Sequence, residues 1–169
     1  MVSLNVLLIG VFVLLSVFTR LLHATPWGLP GGAVINTVDG KMYICPTGVT
    51  DKNLSVSSIS VSASSLRDGK KEIMWDVNNS DENLMLSLKP GDCIPYGRQI
   101  DGYTALVIAK PLEIGETYYA RINAHDADAT RLSILFYDAV FCVGIQEGGL
   151  LYYRQYQYPR SGETIRPDC

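Results

Sequence analysis

The chain has 169 residues, which is enough for one domain with a proper core and too few for two comfortable ones. Charged residues make up 18% and aromatic residues 9% of the sequence, a composition that favours a globular chain over a disordered one. The 14 basic residues are scattered and the formal net charge is −3, so no nucleic-acid surface is indicated.

The amino terminus predicts export. Residues 6–18 form an apolar run shorter than the roughly 20 residues needed to span a bilayer, so residues 1–24 are interpreted as a signal peptide. An uncleaved signal anchor stays open as an alternative, because residues 1–5 carry no Lys or Arg, and it would be the chain's one link to a membrane. Residues 25–32 are rich in Pro and Gly and are expected to form a tether. Residues 33–169 are then a single domain.

The first half of this domain predicts short strands separated by turns. Asp39-Gly40 between Ala33–Val38 and Lys41–Cys45 is a strong hairpin signal. The apolar phase changes at Ser57-Ser58, within a strand expected over residues 54–63, and this change predicts a bulge. Further strands are expected at residues 72–77, where Trp75 should anchor the core, and at residues 84–88, 93–96 and 103–108.

A central hairpin is the strongest prediction in the second half. Tyr118 to Asn123 alternates in character, which is typical of a half-buried strand, and residues 132–143 are apolar at almost every position. The polar residues 124–130 between them fit a longer hairpin loop. With a last strand at residues 150–158, about nine short strands predict an all-β fold, an immunoglobulin-like β-sandwich with Greek-key connections.

Catalytic and metal chemistry find few candidates. His125 with Asp126 and Asp128 could ligate a metal or orient a base, but Asp also suits the turn geometry of a loop. Asp138 and Glu116 could serve a hydrolase as paired acids, although Asp138 is expected to pair with an Arg such as Arg121. Nucleophilic and zinc hydrolysis lack their motifs, so we expect a protein that is not an enzyme and uses no metal or cofactor.

The tyrosines near the carboxyl terminus suggest an interface. Tyr residues with a neighbouring Arg offer contact area with a polar tip, which suits protein–protein recognition. The alternative is that half of them belong to the core and half to ordinary strand surface. The residues predicted to bind a partner lie in the last strand and in the hairpin loop: Tyr152, Tyr153, Arg154, Tyr156, His125, Asp126 and Asp128.

The four cysteines, Cys45, Cys93, Cys142 and Cys169, form an even set in a chain that is predicted to be exported. Disulfides are therefore the expected state. The spacing of the cysteines alone does not choose among the possible pairings.

A family resemblance rests on four blocks in order: residues 40–45, the block Pro90-Gly91-Asp92-Cys93-Ile94-Pro95-Tyr96-Gly97, residues 115–119 and residues 139–141. Together they resemble a family of small bacterial envelope proteins classed as type VI secretion immunity proteins of the periplasm. Members are usually lipoproteins, whereas this chain has no Cys near the end of its apolar run. The resemblance implies no catalytic residues. It implies a Cys45–Cys93 disulfide, which leaves Cys142 and Cys169 as the second pair.

The function expected from this resemblance is neutralisation of a secreted effector toxin by protein–protein binding in the periplasm. An envelope or adhesin-like structural module is the alternative from another class. A metal-dependent or carboxylate-dependent hydrolase is the third.

Overall fold

The computed structural model describes residues 29–49, 53–67, 70–125, 134–158 and 163–169. The predicted signal segment, residues 1–24, lies outside these ranges. The strands are β1 (Leu29–Val38), β2 (Lys41–Pro46), β3 (Leu54–Arg67), β4 (Lys70–Asn79), β5 (Ser87–Leu88), β6 (Ile94–Pro95), β7 (Tyr103–Val107), β8 (Thr117–Ala124), β9 (Ile134–Ile145) and β10 (Leu151–Gln155). Within the described ranges the helical structure is a 3-10 turn at Glu82–Leu84, so the all-β prediction is confirmed.

Hydrogen bonding joins these strands into a curled sheet. Its strand order is β6-β2-β1-β9-β8-β3-β4-β7, with β10 added to β9 and β5 added to β3. The pairing of β1 with β9 is parallel, and the other pairings are antiparallel.

The curl brings opposite ends of the strand order together through Tyr96, which directly follows β6. Its ring packs edge-on against Trp75 of β4, with ring centroids 5.5 Å apart. Its hydroxyl donates to the carbonyl oxygen of Lys110 at 2.8 Å and lies 3.2 Å from that of Met74. Trp75 is 2% exposed, so it anchors the core as predicted.

The two predicted hairpins are confirmed. Asp39 and Gly40 have φ angles of 51° and 71°, which is the type I′ geometry that suits the twist of the flanking strands β1 and β2. β8 and β9 pair from Thr117 with Cys142 to Asn123 with Phe136.

The burial of side chains alternates along β8 as predicted, so the strand has one buried face and one outer face. Tyr118, Ala120 and Ile122 are at most 2% exposed and belong to the core. The alternate residues Tyr119 and Arg121 are half-buried on the outer face, where they can contribute to a site.

The first strand begins earlier than expected. Residues 29–32, assigned to the tether by their composition, pair with β9 instead. A Cβ on Gly31 would lie 2.6 Å from Cδ1 of Tyr137 and 2.8 Å from Cγ2 of Ile134. The glycine therefore serves the close approach of two strands and not the flexibility of a linker.

Two other local predictions had different outcomes. The register of β3 against β8 shifts between Val56 and Ser58, so the predicted bulge is confirmed. The strand expected over residues 84–88 is only the two-residue β5. The side chain of Asp81 accepts a hydrogen bond from the amide of Asn83 at 3.0 Å and starts the 3-10 turn in place of the strand.

Two disulfides brace the sheet. Cys45 of β2 bonds to Cys93 just before β6, and Cys142 of β9 bonds to Cys169. These are the pairs that the resemblance implies, and they indicate an oxidising environment outside the cytoplasm. Among the described residues, no helix is both long and apolar enough to cross a membrane.

Candidate functional site

A cleft lies where β9 exchanges one neighbouring strand for another. Asp138 of β9 pairs with Gly32 of β1, whereas Phe141, three residues on, pairs with Gln155 of β10. Between these positions β1 leaves β9 to pair with β2. The resulting cleft, which we call the fork cleft, has a volume of about 870 Å³.

The side chain of Gln155 holds the fork open by replacing the missing strand contacts. Its Nε2 donates to the carbonyl oxygen of Ala33 at 2.7 Å, and its Oε1 accepts from the amide of Ile35 at 3.1 Å. The amide of Tyr156 donates to the carbonyl oxygen of Val140 at 2.9 Å. Backbone groups that the fork would leave unpaired are thus satisfied, which fixes the cleft walls.

A polar cluster of Tyr119, Arg121 and Asp138 adjoins the fork cleft, and Tyr119 and Asp138 line one of its walls. Arg121 donates from Nη2 to Oδ2 of Asp138 at 3.0 Å and from Nε to Oδ1 at 3.3 Å. The hydroxyl of Tyr119 donates to the same carboxylate and accepts from Arg121. The expected pairing of Asp138 with Arg121 is therefore confirmed.

Aromatic contacts add to this cluster. The guanidinium of Arg121 lies 4.1 Å from the ring centroid of Phe136, and the ammonium of Lys71 lies 4.7 Å from that of Tyr119. Both distances fit cation–π attraction. The side chains are thus held from several directions.

Protonation in the cluster follows from its contacts. Burial, together with the hydrogen bond to Asp138, raises the pKa of Tyr119 to about 12. Burial works to lower the pKa of Arg121, but the hydrogen bond and the charge of Asp138 outweigh it and hold that pKa above its usual range. At neutral pH the tyrosine is neutral and the arginine charged. Because the carboxylate of Asp138 is engaged by both, the hydrolase interpretation gains no support from this residue.

The opposite wall is formed by the chain after β10. Residues 156–158 and 163–169, which we call the carboxyl-terminal strap, fold back so that Gln157 and Ile165 form an antiparallel bridge. The Cys142–Cys169 disulfide ties the end of the strap to β9. The hydroxyl of Tyr156 lies 3.0 Å from Oγ1 of Thr117, within hydrogen-bond distance.

The predicted contact residues of the last strand point to two different faces. Tyr153 packs against the core, with its ring centroid 6.1 Å from that of Phe141, so it contributes to the fold. Tyr152 and Arg154 lie on the outer face and stack, with Cζ of Arg154 4.7 Å from the Tyr152 ring centroid. Arg154 and Tyr156 line the fork cleft.

The other predicted contact region is only partly described. His125 is exposed directly after β8, and its amide donates to the carbonyl oxygen of Ser55 at 2.8 Å. Asp126 and Asp128 lie outside the described residues. Within the described part of the chain, no group of three or more His, Cys, Asp or Glu residues could hold a metal ion.

Among the residues that line the fork cleft, sequence reasoning gave Tyr119 and Pro167 no binding role, whereas Tyr158 lies at the end of the strand predicted as a contact surface, residues 150–158. The alternation of β8 carried a signal for Tyr119, because it placed Tyr119 and Arg121 on one face. Pro167 is held at the cleft by contacts between the carboxyl-terminal strap and distant residues, among them the Cys142–Cys169 disulfide, and its own sequence surroundings hold no such signal.

Comparison with known proteins gives no relative: no protein-family model, no curated protein and no solved structure matches this chain. The family resemblance therefore stays a prediction.

Proposed function

We propose that this chain is an exported, non-enzymatic binding protein of the bacterial periplasm. It acts as an immunity protein that neutralises a type VI secretion effector toxin by protein–protein binding. The observation that carries the proposal is the fork cleft, where exposed tyrosine and arginine side chains adjoin a fixed ion pair.

The side chains at the cleft suit recognition. Tyr158 is 62% exposed, and it stands beside Arg154 and Tyr156 at the carboxyl-terminal end of β10. Tyr and Arg are the residue types that most often dominate the energy of protein interfaces. A toxin loop that enters the cleft would bury their apolar surfaces and keep their polar tips in hydrogen-bonding reach.

The cleft also needs little reorganisation on binding. The cluster of Tyr119, Arg121 and Asp138 is cross-linked by its own hydrogen bonds, and the hydroxyl of Tyr156 is positioned by Thr117. A surface that is already ordered loses less entropy when a partner docks, and this raises affinity without new contacts. Neutralising a toxin requires such a surface and no reactive group.

The scaffold that we propose is an immunoglobulin-like sandwich formed by the curled sheet. The contact of Tyr96 with Trp75 supports it, since it joins the end of β6 to β4, which is distant in the strand order. The disulfides support the periplasm as the compartment, since bonds of this kind persist there.

The test uses the full-length chain and the protein encoded beside its gene. We expect a tight one-to-one complex by calorimetry, and we expect the chain to protect cells when its neighbour is exported to the periplasm. Replacement of Arg154 by Glu should weaken binding by roughly 30-fold or more, as at an interface hot spot. Lys41→Glu makes the same charge change on an exposed side chain of β2 and should leave affinity unchanged.

Two results would contradict the proposal. The first is a neighbour that binds Arg154→Glu as tightly as the unaltered chain, which would remove the cleft from the interface. The second is a hydrolytic activity lost on His125→Ala, which would indicate an enzyme. If the chain integrates into the cell envelope and does not protect cells from the toxin, the alternative function as an envelope or adhesin-like structural module would be favoured.

A further inference from the structure

A second cavity lies at the other side of the sheet, between the loop at residues 97–100 and strands β4 and β7. Its volume is about 430 Å³. Small-molecule pockets range from about 300 to 1,000 Å³, so this cavity has the size of a ligand site. We call it the β7 cavity.

The β7 cavity opens because the core face of β7 is left uncovered. Ala105 of β7 pairs with Val77 of β4, and directly opposed residues of antiparallel strands point to the same face. Val77 is 5% exposed and belongs to the core, yet Ala105 is exposed. The cavity therefore leads from the surface to core side chains.

Its interior is apolar. Trp75, Val77 and Ile100 are 2%, 5% and 8% exposed and form the floor, while Ile108, at the mouth, is 80% exposed. Tyr103 also lines the cavity, but its hydroxyl donates to the carbonyl oxygen of Val56 and accepts from the amide of Leu86 at 3.2 Å. The polar atom of that tyrosine is thus engaged within the protein, and a ligand meets its ring.

The rim of the cavity is polar and basic. Arg98 and Gln99 line the cavity and are both exposed, which places them at its edge. The amide of Arg98 donates to the carbonyl oxygen of Pro95 at 3.2 Å, and a Cβ on Gly97 would lie 2.9 Å from Cβ of Ala109. The loop that carries Arg98 is therefore packed closely against the chain after β7.

We propose that the β7 cavity binds a small amphiphile with one apolar chain and an anionic head group. The chain lies against Trp75 and Ile100, and the head group pairs with Arg98 at the rim. This assignment rests on the apolar floor, the engaged tyrosine hydroxyl and the single basic residue that lines the cavity. It is independent of the fork cleft and of the proposed immunity function.

The test is a titration with decanoate below its micelle concentration, in a Trp27→Phe background where Trp75 is the one remaining tryptophan. We expect a saturable change in Trp75 fluorescence. Decanol should bind more weakly than decanoate, and decyltrimethylammonium more weakly still, because Arg98 repels its cationic head.

Three variants locate the site. Ala105→Phe fills the mouth and should abolish saturable binding of decanoate. Arg98→Gln should weaken the binding of decanoate by roughly two- to fivefold, which corresponds to the loss of an exposed ion pair. The same variant should bind decanol with unchanged affinity. Lys41→Gln removes one positive charge from an exposed side chain of β2 and serves as the control with unchanged binding.

Vesicles of phosphatidylglycerol distinguish the sources of such a ligand. Co-sedimentation that Ala105→Phe abolishes identifies a membrane lipid, and binding of decanoate without co-sedimentation identifies a free carboxylate. The proposal is overturned by a lack of saturable binding or by full binding in Ala105→Phe. Equal affinity for decanoate and decyltrimethylammonium would equally overturn it, since the head group would then have no charge preference.

Discussion

Arg121 and Asp138 lie directly opposite each other on β8 and β9, and their side chains form an ion pair of 3.0 Å on the outer face of the sheet. The side chains are only 35% and 25% exposed, so solvent does not fully compensate either charge when its partner is lost. Tyr119 closes the cluster by bonding to both. The same ion pair thus links two central strands, and its carboxylate lines the fork cleft.

Replacing Arg121 by Ala should destabilise the protein by about 1–2 kcal/mol, because the half-buried carboxylate of Asp138 loses its charged partner. Chemical denaturation followed by circular dichroism measures this change. Lys110→Ala is the matched control: its ion pair with Glu72, at 3.1 Å, is more exposed, so its loss should cost less than about 0.5 kcal/mol. Equal costs for the two variants would show that the Arg121 pair adds no more stability than an ordinary surface contact.

Local signals in the sequence were enough for much of the fold. Asp39-Gly40 specified its hairpin because only a few residue pairs accept two positive φ angles. The alternation of side-chain character along β8 predicted which of its faces is buried. Together with the predicted hairpin to β9, it also led us to expect the Arg121–Asp138 ion pair. The change of phase at Ser57 predicted its bulge.

Long-range relationships could not be predicted in this way. The parallel pairing of β1 with β9 joins residues more than 100 positions apart, as in the pair Gly32 and Asp138. The fork cleft exists because of that pairing, so it had no local signature. Gly31 shows the same limit of local prediction. The Pro- and Gly-rich composition of residues 25–32 suggested a tether, whereas the role of Gly31 depends on the ring of Tyr137, which is distant in the sequence.

Replacing Gly31 by Ala should destabilise the protein by about 1–3 kcal/mol, because the added methyl group would overlap the ring of Tyr137. That ring is 5% exposed and has little room to move. Gly32→Ala is the neighbouring control, since its Cβ meets only the Thr47 hydroxyl at 3.0 Å and should cost less. Thermal unfolding of both variants measures the difference. An equal or smaller loss for Gly31→Ala would contradict close packing of β1 on β9.

Stability should fall with rising pH above about pH 10. The pKa of Tyr119 is raised in the folded state to about 12 from an ordinary value of 10.0, by burial first and by Asp138 second. The folded protein therefore holds this proton more tightly, and its contribution to stability, complete below pH 10, is lost as the pH rises through 12. Burial also raises the pKa of Tyr103, Tyr137 and Tyr153, so these residues contribute in the same direction.

The contribution of Tyr119 to this pH dependence can be isolated with Tyr119→Phe. In that variant the free energy of unfolding should fall less steeply with rising pH, but it should still fall. Urea unfolding at several pH values between about 9 and 12 gives the slope for each protein. Identical slopes in Tyr119→Phe and the unaltered chain would mean that its hydroxyl is not held more tightly in the folded state.

The terminal disulfide should control the carboxyl-terminal strap and, through it, the fork cleft. Replacing both Cys142 and Cys169 by Ala should cost about 3.5 kcal/mol in the chain-entropy model, and the Cys45 and Cys93 double variant about 4 kcal/mol. Stability alone therefore does not separate the two disulfides. Their positions do, because the Cys142–Cys169 disulfide ties residues 163–169 to β9 and the Cys45–Cys93 disulfide does not.

Limited digestion with a Glu-specific protease under native conditions provides the distinction. Glu163 lies in the strap, and cleavage after it should be fast in the Cys142/Cys169 variant. In that variant the contacts described for residues 163–169 are the Gln157–Ile165 bridge and the contact of Arg154 with the carbonyl oxygen of Asp168 at 3.4 Å. The Cys45/Cys93 variant should resist cleavage after Glu163 like the unaltered chain. The same pair of variants should differ in partner affinity, with the larger loss on release of the strap that carries Pro167 into the cleft wall. Equal digestion rates after Glu163 would mean that the bridge and the Arg154 contact hold the strap without the disulfide.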